Sequence, residues 1–310
     1  MKEYLIGAGG WAYFKIPRLH PLVAYSKAFN FVEVNSTFYQ IPPMREVERW
    51  RNLVPPDFQF AVRAHRAITH RHKLQPAEEA LEAFEKMKKI CKTLNTVILH
   101  LQIPRSFKLT LASVNNLRDF LSSVNLEKLR LALEIRETPS SNLPPELLKT
   151  MQDYKMIHCA DLSKGEMPAY ESDILYSRLF GKGQHNIYQP TDEELEQIDR
   201  KASSGNSEKI ILNFHFVKMY KDAARLKIYK QTGKFPMVTR STGFSSLSEI
   251  LREDAEFPAT KQELIQSQGW KLFDLTNEKR TQAAEFLQKL PNRTYTSVNE
   301  VIETLKSIGK

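Results

Sequence analysis

Glu33 and Asn35 stand two residues apart at the end of the apolar run 31–34, and an extended backbone aims alternate side chains the same way. A carboxylate and an amide that leave a strand tip together are costly in a core without partners, so they mark a polar pocket. The pattern recurs along the chain. Trp11 and Tyr13 follow the first apolar run, Arg63 and His65 the third, His100 and Gln102 the fourth, and Glu134 and Arg136 the fifth. His158 and Asp161 end the sixth, Arg178 the seventh, and Asn213 and His215 the eighth. A strand buried on both faces is normally apolar throughout, so packing alone does not account for polar residues at successive tips.

Two chemistries fit these residue types. Metal-assisted hydrolysis would use Glu33, Glu134 and Asp161 as hard oxygen ligands and His100 and His158 as imidazole ligands, for zinc, manganese or iron. His65, His70 and His215 are further imidazoles for that reading, although no HxH or HExxH spacing occurs at the strand tips. The second chemistry needs no metal. Arg63, Arg136 and Arg178 offer planar forks suited to phosphate or carboxylate oxygens. Glu33 or Glu134 is then the general base, with His70 as the acid or orienting partner. Asn35, Gln102 and Asn213 add amide contacts to the substrate, and Trp11, Tyr13, Phe38 and Tyr39 form a stacking wall for a base or sugar. Each residue also has a structural alternative: a buried ion pair such as Glu134 with Arg178, a satisfied core histidine, or an aromatic plug at a barrel rim.

The elements that must position these residues follow from periodicity. Eight short apolar runs, at 5–8, 31–34, 58–62, 96–101, 129–134, 156–160, 174–179 and 210–214, are mostly separated by stretches with helical spacing, among them 76–94, 111–123, 145–154 and 192–202. Strand-then-helix units in that number predict a closed parallel barrel over residues 1–235, and a barrel of this type carries its chemistry at the C-terminal ends of its strands. Turn-rich segments at 231–236 and 241–245 end the register. A small, all-helical domain is expected over 245–310, with helices at 246–253, 261–268, 278–289 and 298–307. Thr191 with Glu194, and Thr260 with Glu263, read as capping boxes.

Read together, Gly7-Ala8-Gly9-Gly10-Trp11-Ala12-Tyr13, Val32-Glu33-Val34-Asn35-Ser36-Thr37-Phe38-Tyr39 and Phe60-Ala61-Val62-Arg63-Ala64 resemble the YecE-like family of the DUF72 type. Ile68-Thr69-His70, Gln102-Ile103-Pro104-Arg105-Ser106-Phe107, Leu133-Glu134-Ile135-Arg136, Ala160-Asp161 and Ser177-Arg178-Leu179-Phe180-Gly181 extend the likeness over residues 4–230 or so. The resemblance implies a TIM-type (β/α)8 barrel and says almost nothing about activity, because one such fold hosts many reactions. His65, His100 and His158 depart from the residues more usual in that family.

Forty-five Lys and Arg against thirty-six Asp and Glu give a net charge of +9, which favours an anionic ligand, DNA or RNA among them. No run approaches a membrane span, so no membrane partner is expected and the location expected is cytoplasmic. Cys91 and Cys159 are far apart and suggest buried thiols rather than a disulfide or zinc framework. The leading expectation is a hydrolase of a phosphate-containing substrate, such as a nucleic-acid phosphodiester cleaved with a divalent metal. The alternative is a non-enzymatic protein that binds nucleic acid or another ligand at the barrel mouth. A sugar-phosphate isomerase or lyase rests on fold analogy alone.

Overall fold

A computed structural model describes residues 2–136 and 138–308. Eight parallel strands form one sheet: β1 Glu3–Ala8, β2 Phe31–Val34, β3 Gln59–Arg63, β4 Ile98–Gln102, β5 Arg130–Glu134, β6 Ile157–Cys159, β7 Ile174–Leu179 and β8 Lys209–Phe214. Bonded neighbours run β6-β5-β4-β3-β2-β1-β8-β7. The edges of that sheet, β6 and β7, meet through a single parallel bridge between Ala160 and Ser177. Ser177 Oγ reinforces it by donating to Ala160 O at 2.7 Å and accepting from Leu162 N at 3.2 Å. The sheet is thus a nearly closed barrel of the TIM type, as its strand pattern predicts.

The strands are buried on both faces, which is why they read as near-continuous apolar runs. Inside the barrel, Leu5, Phe31, Ala61, Ile98, Ala132, Ile157 and Ile211 pack as one cluster. Two residues further along several of the same strands come Glu33, Arg63, His100, Glu134, Cys159 and Asn213. Register aligns them: Arg63 pairs with His100, Glu134 with Cys159, and Arg178 with Asn213. An apolar floor beneath a polar upper layer is therefore written into the alternation of the strands. Tyr25, on the helix Pro21–Ala28, ties β1 to β2: its hydroxyl accepts from Ala8 N and donates to Phe31 O, both at 2.8 Å. The helix Glu78–Thr93 buries Ala80, Ala83, Phe84, Met87, Ile90 and Cys91, an apolar stripe at helical spacing.

Contacts gather the chain into two compact units. One holds the barrel strands, up to Leu179 and again over Asp199–His215; the other takes Phe180–Ile198 and the chain from Phe216 on. The boundary suggested by sequence, 235–245, lies inside the second unit. Buried polar contacts explain that partition. Asp192 accepts from Arg225 Nη2 and from Arg280 Nη1, each at 2.6 Å, while Gln189 donates to Asp222 at 3.2 Å and accepts from Leu272 N at 2.9 Å.

The C-terminal stretch is not all helical. Helices at Gly243–Arg252, Lys261–Gln268 and Val298–Ile308 match the expectation, but Arg280–Gln282 is a strand paired antiparallel with Leu272–Asp274, so the helix expected at 278–289 shrinks to Ala284–Leu287. Ala259–Thr260 pairs with Thr294–Tyr295. Short ladders of two or three residues leave little alternation to read. Both expected capping pairs form, Thr191 with Glu194 and Thr260 with Glu263.

The turn-rich link is anchored rather than loose. Buried Asp274 accepts from Val238 N at 2.9 Å, Thr239 N at 2.8 Å and Thr239 Oγ1 at 2.7 Å. Asp274→Ala should lower stability by about 3 kcal/mol, because it leaves the Val238 and Thr239 N–H groups without their acceptor and takes one of two carboxylates from buried Arg280. Limited proteolysis should then cut within 233–242 faster than in the parent chain; equal cutting rates would show that these bonds do not hold the link.

Candidate functional site

Arg178, near the end of β7, is 2% exposed and lies between two carboxylates from opposite parts of the sheet. Its Nη2 donates to Glu33 Oε1 at 3.0 Å and its Nη1 donates to Glu134 Oε2. Glu33 Oε2 also accepts from Tyr176 Oη at 2.5 Å. Burial alone would raise the Glu33 carboxyl, but Arg178, His100, His215 and the Tyr176 hydroxyl together outweigh it and hold it at about 2. The same contest puts Glu134 well below the usual carboxylate range, with Arg178 and His100 the main opponents of burial. Burial opposes the charge on Arg178, yet Glu134 and Glu33 raise its pKa further. Both carboxylates are ionised and already engaged.

Above them, three guanidinium groups meet on one atom. Gln102 Oε1 accepts from Arg63 Nη2 at 2.8 Å, Arg178 Nη1 at 3.0 Å and Arg136 Nη2 at 3.1 Å. Guanidinium groups have no acceptor, so these donors fix the orientation of the amide. Arg63 Nη1 also donates to Asn35 Oδ1 at 2.7 Å, and its charged carbon lies 3.8 Å from the centre of the Phe38 ring. Burial first, and Arg178 second, draw the Arg63 pKa down to about 10, so it stays charged at neutral pH. Arg136 Nε donates to Glu134 Oε1. Its side chain is 29% exposed, against 7% for Glu134, so it faces the mouth.

The histidines of this layer are neutral. His215 Nε2 lies 3.1 Å from Arg178 Nε and 3.0 Å from Asn213 Nδ2, so it acts as acceptor to both and the ring proton belongs on Nδ1. Burial and Arg178 keep it well below the ordinary histidine value. Gly9 makes room for that ring, since a Cβ there would come within 2.1 Å of His215 Cε1. His100 stacks on Tyr176 at 5.8 Å and is also held below its usual value, by burial first and Arg178 second. Its Nε2 lies 3.0 Å from Glu134 Oε2, within reach of that carboxylate.

The residues marked from the sequence therefore separate into groups. Glu33, Asn35, Arg63, His100, Gln102, Glu134, Arg136, Arg178 and Asn213 come together. His70 stands nearby on the loop after β3: it contacts Phe38 edge-on at 4.7 Å, and burial followed by Arg63 and Arg136 lowers its pKa. Tyr13 and Tyr39 are exposed on the loops after β1 and β2, while Trp11 packs edge-on against Trp50 at 5.3 Å. Phe38 lies buried beneath Arg63 and offers no open wall.

Asp161 and His158 have other roles. Asp161 Oδ1 accepts from Ser163 N at 3.0 Å and caps the short helix Leu162–Lys164. His158 has the parity opposite to the interior residue Cys159; its Nδ1 accepts from Ala169 N at 2.9 Å, and burial lowers it to about 4. Cys159, expected as a buried thiol, is one and lies beside Glu134, whereas Tyr176 is not among the residues marked from the sequence, although it shares a face with Ile174 two residues away.

The expected ligand set of Glu33, Glu134, Asp161, His100 and His158 is thus not assembled. Among the described residues, the metal-ligating atoms that cluster within 4.8 Å belong to His100, Glu134 and Cys159. That set fits a divalent cation poorly, because Glu134 gives each of its oxygens to a guanidinium and the buried charge of Arg178 lies against it.

The depressed Glu33 carboxyl has a consequence for stability. Its folded value of about 2 lies under the ordinary 4.5, so its contribution is present above about pH 4.5 and is lost as pH falls towards 2. The size is on the order of 3 kcal/mol. Thermal unfolding should therefore fall steeply through that window, and Glu33→Gln should be less stable at pH 7 with a flatter acid limb; an unchanged limb would assign the acid transition to other groups.

Comparison with known proteins agrees with this architecture. The UPF0759 protein YunF of Bacillus subtilis is 38% identical over 68 residues, which cover 22% of this chain and 24% of that protein. The UPF0759 protein YecE of Escherichia coli K12 is 33% identical over 81 residues, covering 26% and 30%. These alignments span under a third of each curated relative. Crystal structures of DUF72 family proteins from Thermotoga maritima and Enterococcus faecalis share the fold at 20% and 18% identity, with TM-scores of 0.60 and 0.58. The first covers 74% of this chain and 99% of its own, the second 75% and 98%. No helix among the described residues is long and apolar enough to cross a membrane. Since the family described as "Protein of unknown function DUF72" matches residues 5–232, most of the length, this chain belongs to the DUF72 family.

Proposed function

We propose that the barrel mouth binds the phosphate of an anionic substrate and hydrolyses a phosphate ester or diester by acid–base chemistry. The observation that carries this reading is the convergence of Arg63, Arg136 and Arg178 on Gln102 Oε1. A neutral amide oxygen cannot balance three charges, and the carboxylates beneath it, Glu33 and Glu134, lie against Arg178 and Arg136. An arriving phosphate offers oxygens that both outer forks can grip. The net charge of +9 supports a polyanion, DNA or RNA, as the carrier of that phosphate.

His70 supplies the proton chemistry. Its Nδ1 is 2.9 Å from Thr69 Oγ1, which leaves Nε2 for substrate, and its lowered pKa keeps it neutral at pH 7. In the step, Nε2 takes a proton from the attacking water, the new P–O bond forms, the ester P–O bond breaks, and the proton passes to the leaving oxygen. Glu33 and Glu134 serve as counter-charges that fix the guanidinium groups, too weakly basic for the proton transfer itself. That weak basicity equally favours a second reading, a pocket that binds phosphate without turning it over.

Arg136→Gln should weaken binding of inorganic phosphate by roughly tenfold or more in a calorimetric titration at low salt, and unaltered affinity would remove the basis of the proposal. Binding of a short DNA should weaken as salt rises; indifference to salt would argue against a polyanion. His70→Ala should abolish hydrolysis of bis(p-nitrophenyl) phosphate while leaving phosphate affinity within about threefold, and the parent enzyme should lose activity as pH falls below the ordinary histidine value of 6.5. Phosphate binding through Arg136 with no turnover at any pH would establish the binding-only reading instead.

A further inference from the structure

Among the described residues, Tyr13 and Tyr39 are the only aromatic side chains more exposed than buried, at 80% and 63%. Aromatic rings normally bury most of their area, so two open ones need a reason. Both lie on loops that follow adjacent strands, β1 and β2, at the face where the arginines converge. Tyr39 is the better defined. It touches the buried Phe38 edge-on at 5.0 Å, and Phe38 is itself clamped by the guanidinium of Arg63 at 3.8 Å and the ring of His70 at 4.7 Å. One edge of Tyr39 is therefore anchored on the ring that supports the phosphate-binding fork. Tyr39 also lies near enough to Arg63 to act on it electrostatically.

We infer that the phosphate held at the mouth belongs to a nucleoside monophosphate unit, free or within a single strand, whose base stacks on Tyr39. The inference rests on the phosphate reading above and adds the ligand class. A flat, exposed ring beside a phosphate fork suits a base, because every nucleobase has a π-face and stacking tolerates any sequence. A sugar can also pack on an aromatic face, but it needs polar partners for its hydroxyls as well, so ribose 5-phosphate is the control that separates the two. A paired base within a duplex has its faces covered by its neighbours, so the unit must be unpaired or free.

The chain is titrated calorimetrically at low salt with inorganic phosphate, ribose 5-phosphate, adenosine monophosphate and a short oligothymidylate strand. Adenosine monophosphate should bind at least tenfold more tightly than ribose 5-phosphate. Tyr39→Ala should cut that advantage to within about threefold while leaving ribose 5-phosphate and the thermal midpoint unchanged. Equal affinity for the two in the parent chain, both dependent on Arg136, would overturn the base-stacking inference and leave the phosphate reading standing. Failure of every phosphate probe to bind would overturn both. A loss in Tyr39→Ala that is equal for ribose 5-phosphate would likewise overturn the stacking role. The strand binding more tightly than the mononucleotide, with the same dependence on Tyr39, would identify a single strand as the source of the unit; the reverse order would identify a free nucleotide.

Discussion

One guanidinium governs the interior of this barrel. Arg178 bridges Glu33 and Glu134 at nearly complete burial, and neither the cation nor the anions would be tolerated there alone. Its neighbours take their states from it. The acceptor role of His215 Nε2, the orientation of the Gln102 amide and the ionisation of both carboxylates each follow from where its N–H groups point. An apolar residue at this position would leave two buried anions side by side, so the three charges stand or fall as a unit.

The charged layer also changes character with depth. At the level of Glu33 and His100 the polar groups are fully buried and charge is balanced by direct pairing. At the level of Arg63, Gln102 and Arg136 the cations share a neutral oxygen, and Arg136 reaches solvent. A site graded in this way is rigid below and electropositive above. That combination suits an anion that must be held in one pose, since the outer forks are positioned by packing before any ligand arrives.

Much of this was legible in the chain. The spacing of apolar runs gave the eight strands, and side-chain alternation brought Glu33, Arg63, His100, Gln102, Glu134, Arg136, Arg178 and Asn213 to one end. The exceptions have particular causes. His158 sits one residue out of phase with the interior, and Asp161 lies just past the strand, where capping takes the carboxylate away from the pocket. Tyr176 carries no mark in the sequence, because its hydroxyl meets Glu33 from across the barrel, a contact between residues 143 positions apart that no local pattern carries. The pairing of 272–274 with 280–282 was hidden for a different reason: ladders of three residues are too short to show a period, and Glu278–Lys289 has helix-forming composition.

The single bridge between Ala160 and Ser177 gives the barrel a seam. The β1–β2 joint is built alike, with one registered pair, Ala8 with Val32, and the Tyr25 hydroxyl across the gap, whereas the other adjacent strands share two or more pairs. Local opening follows the least hydrogen-bonded joints, so β6–β7 and β1–β2 are the two places where the cylinder should part most readily. Arg178 is carried by β7, immediately after the serine that fastens the β6–β7 joint. The covalent neighbour of that seam is thus the barrel's central charge, and Glu134 beyond β6 together with Glu33 across the lumen hold Arg178 as a tie-rod, adding to closure where backbone pairing is thin.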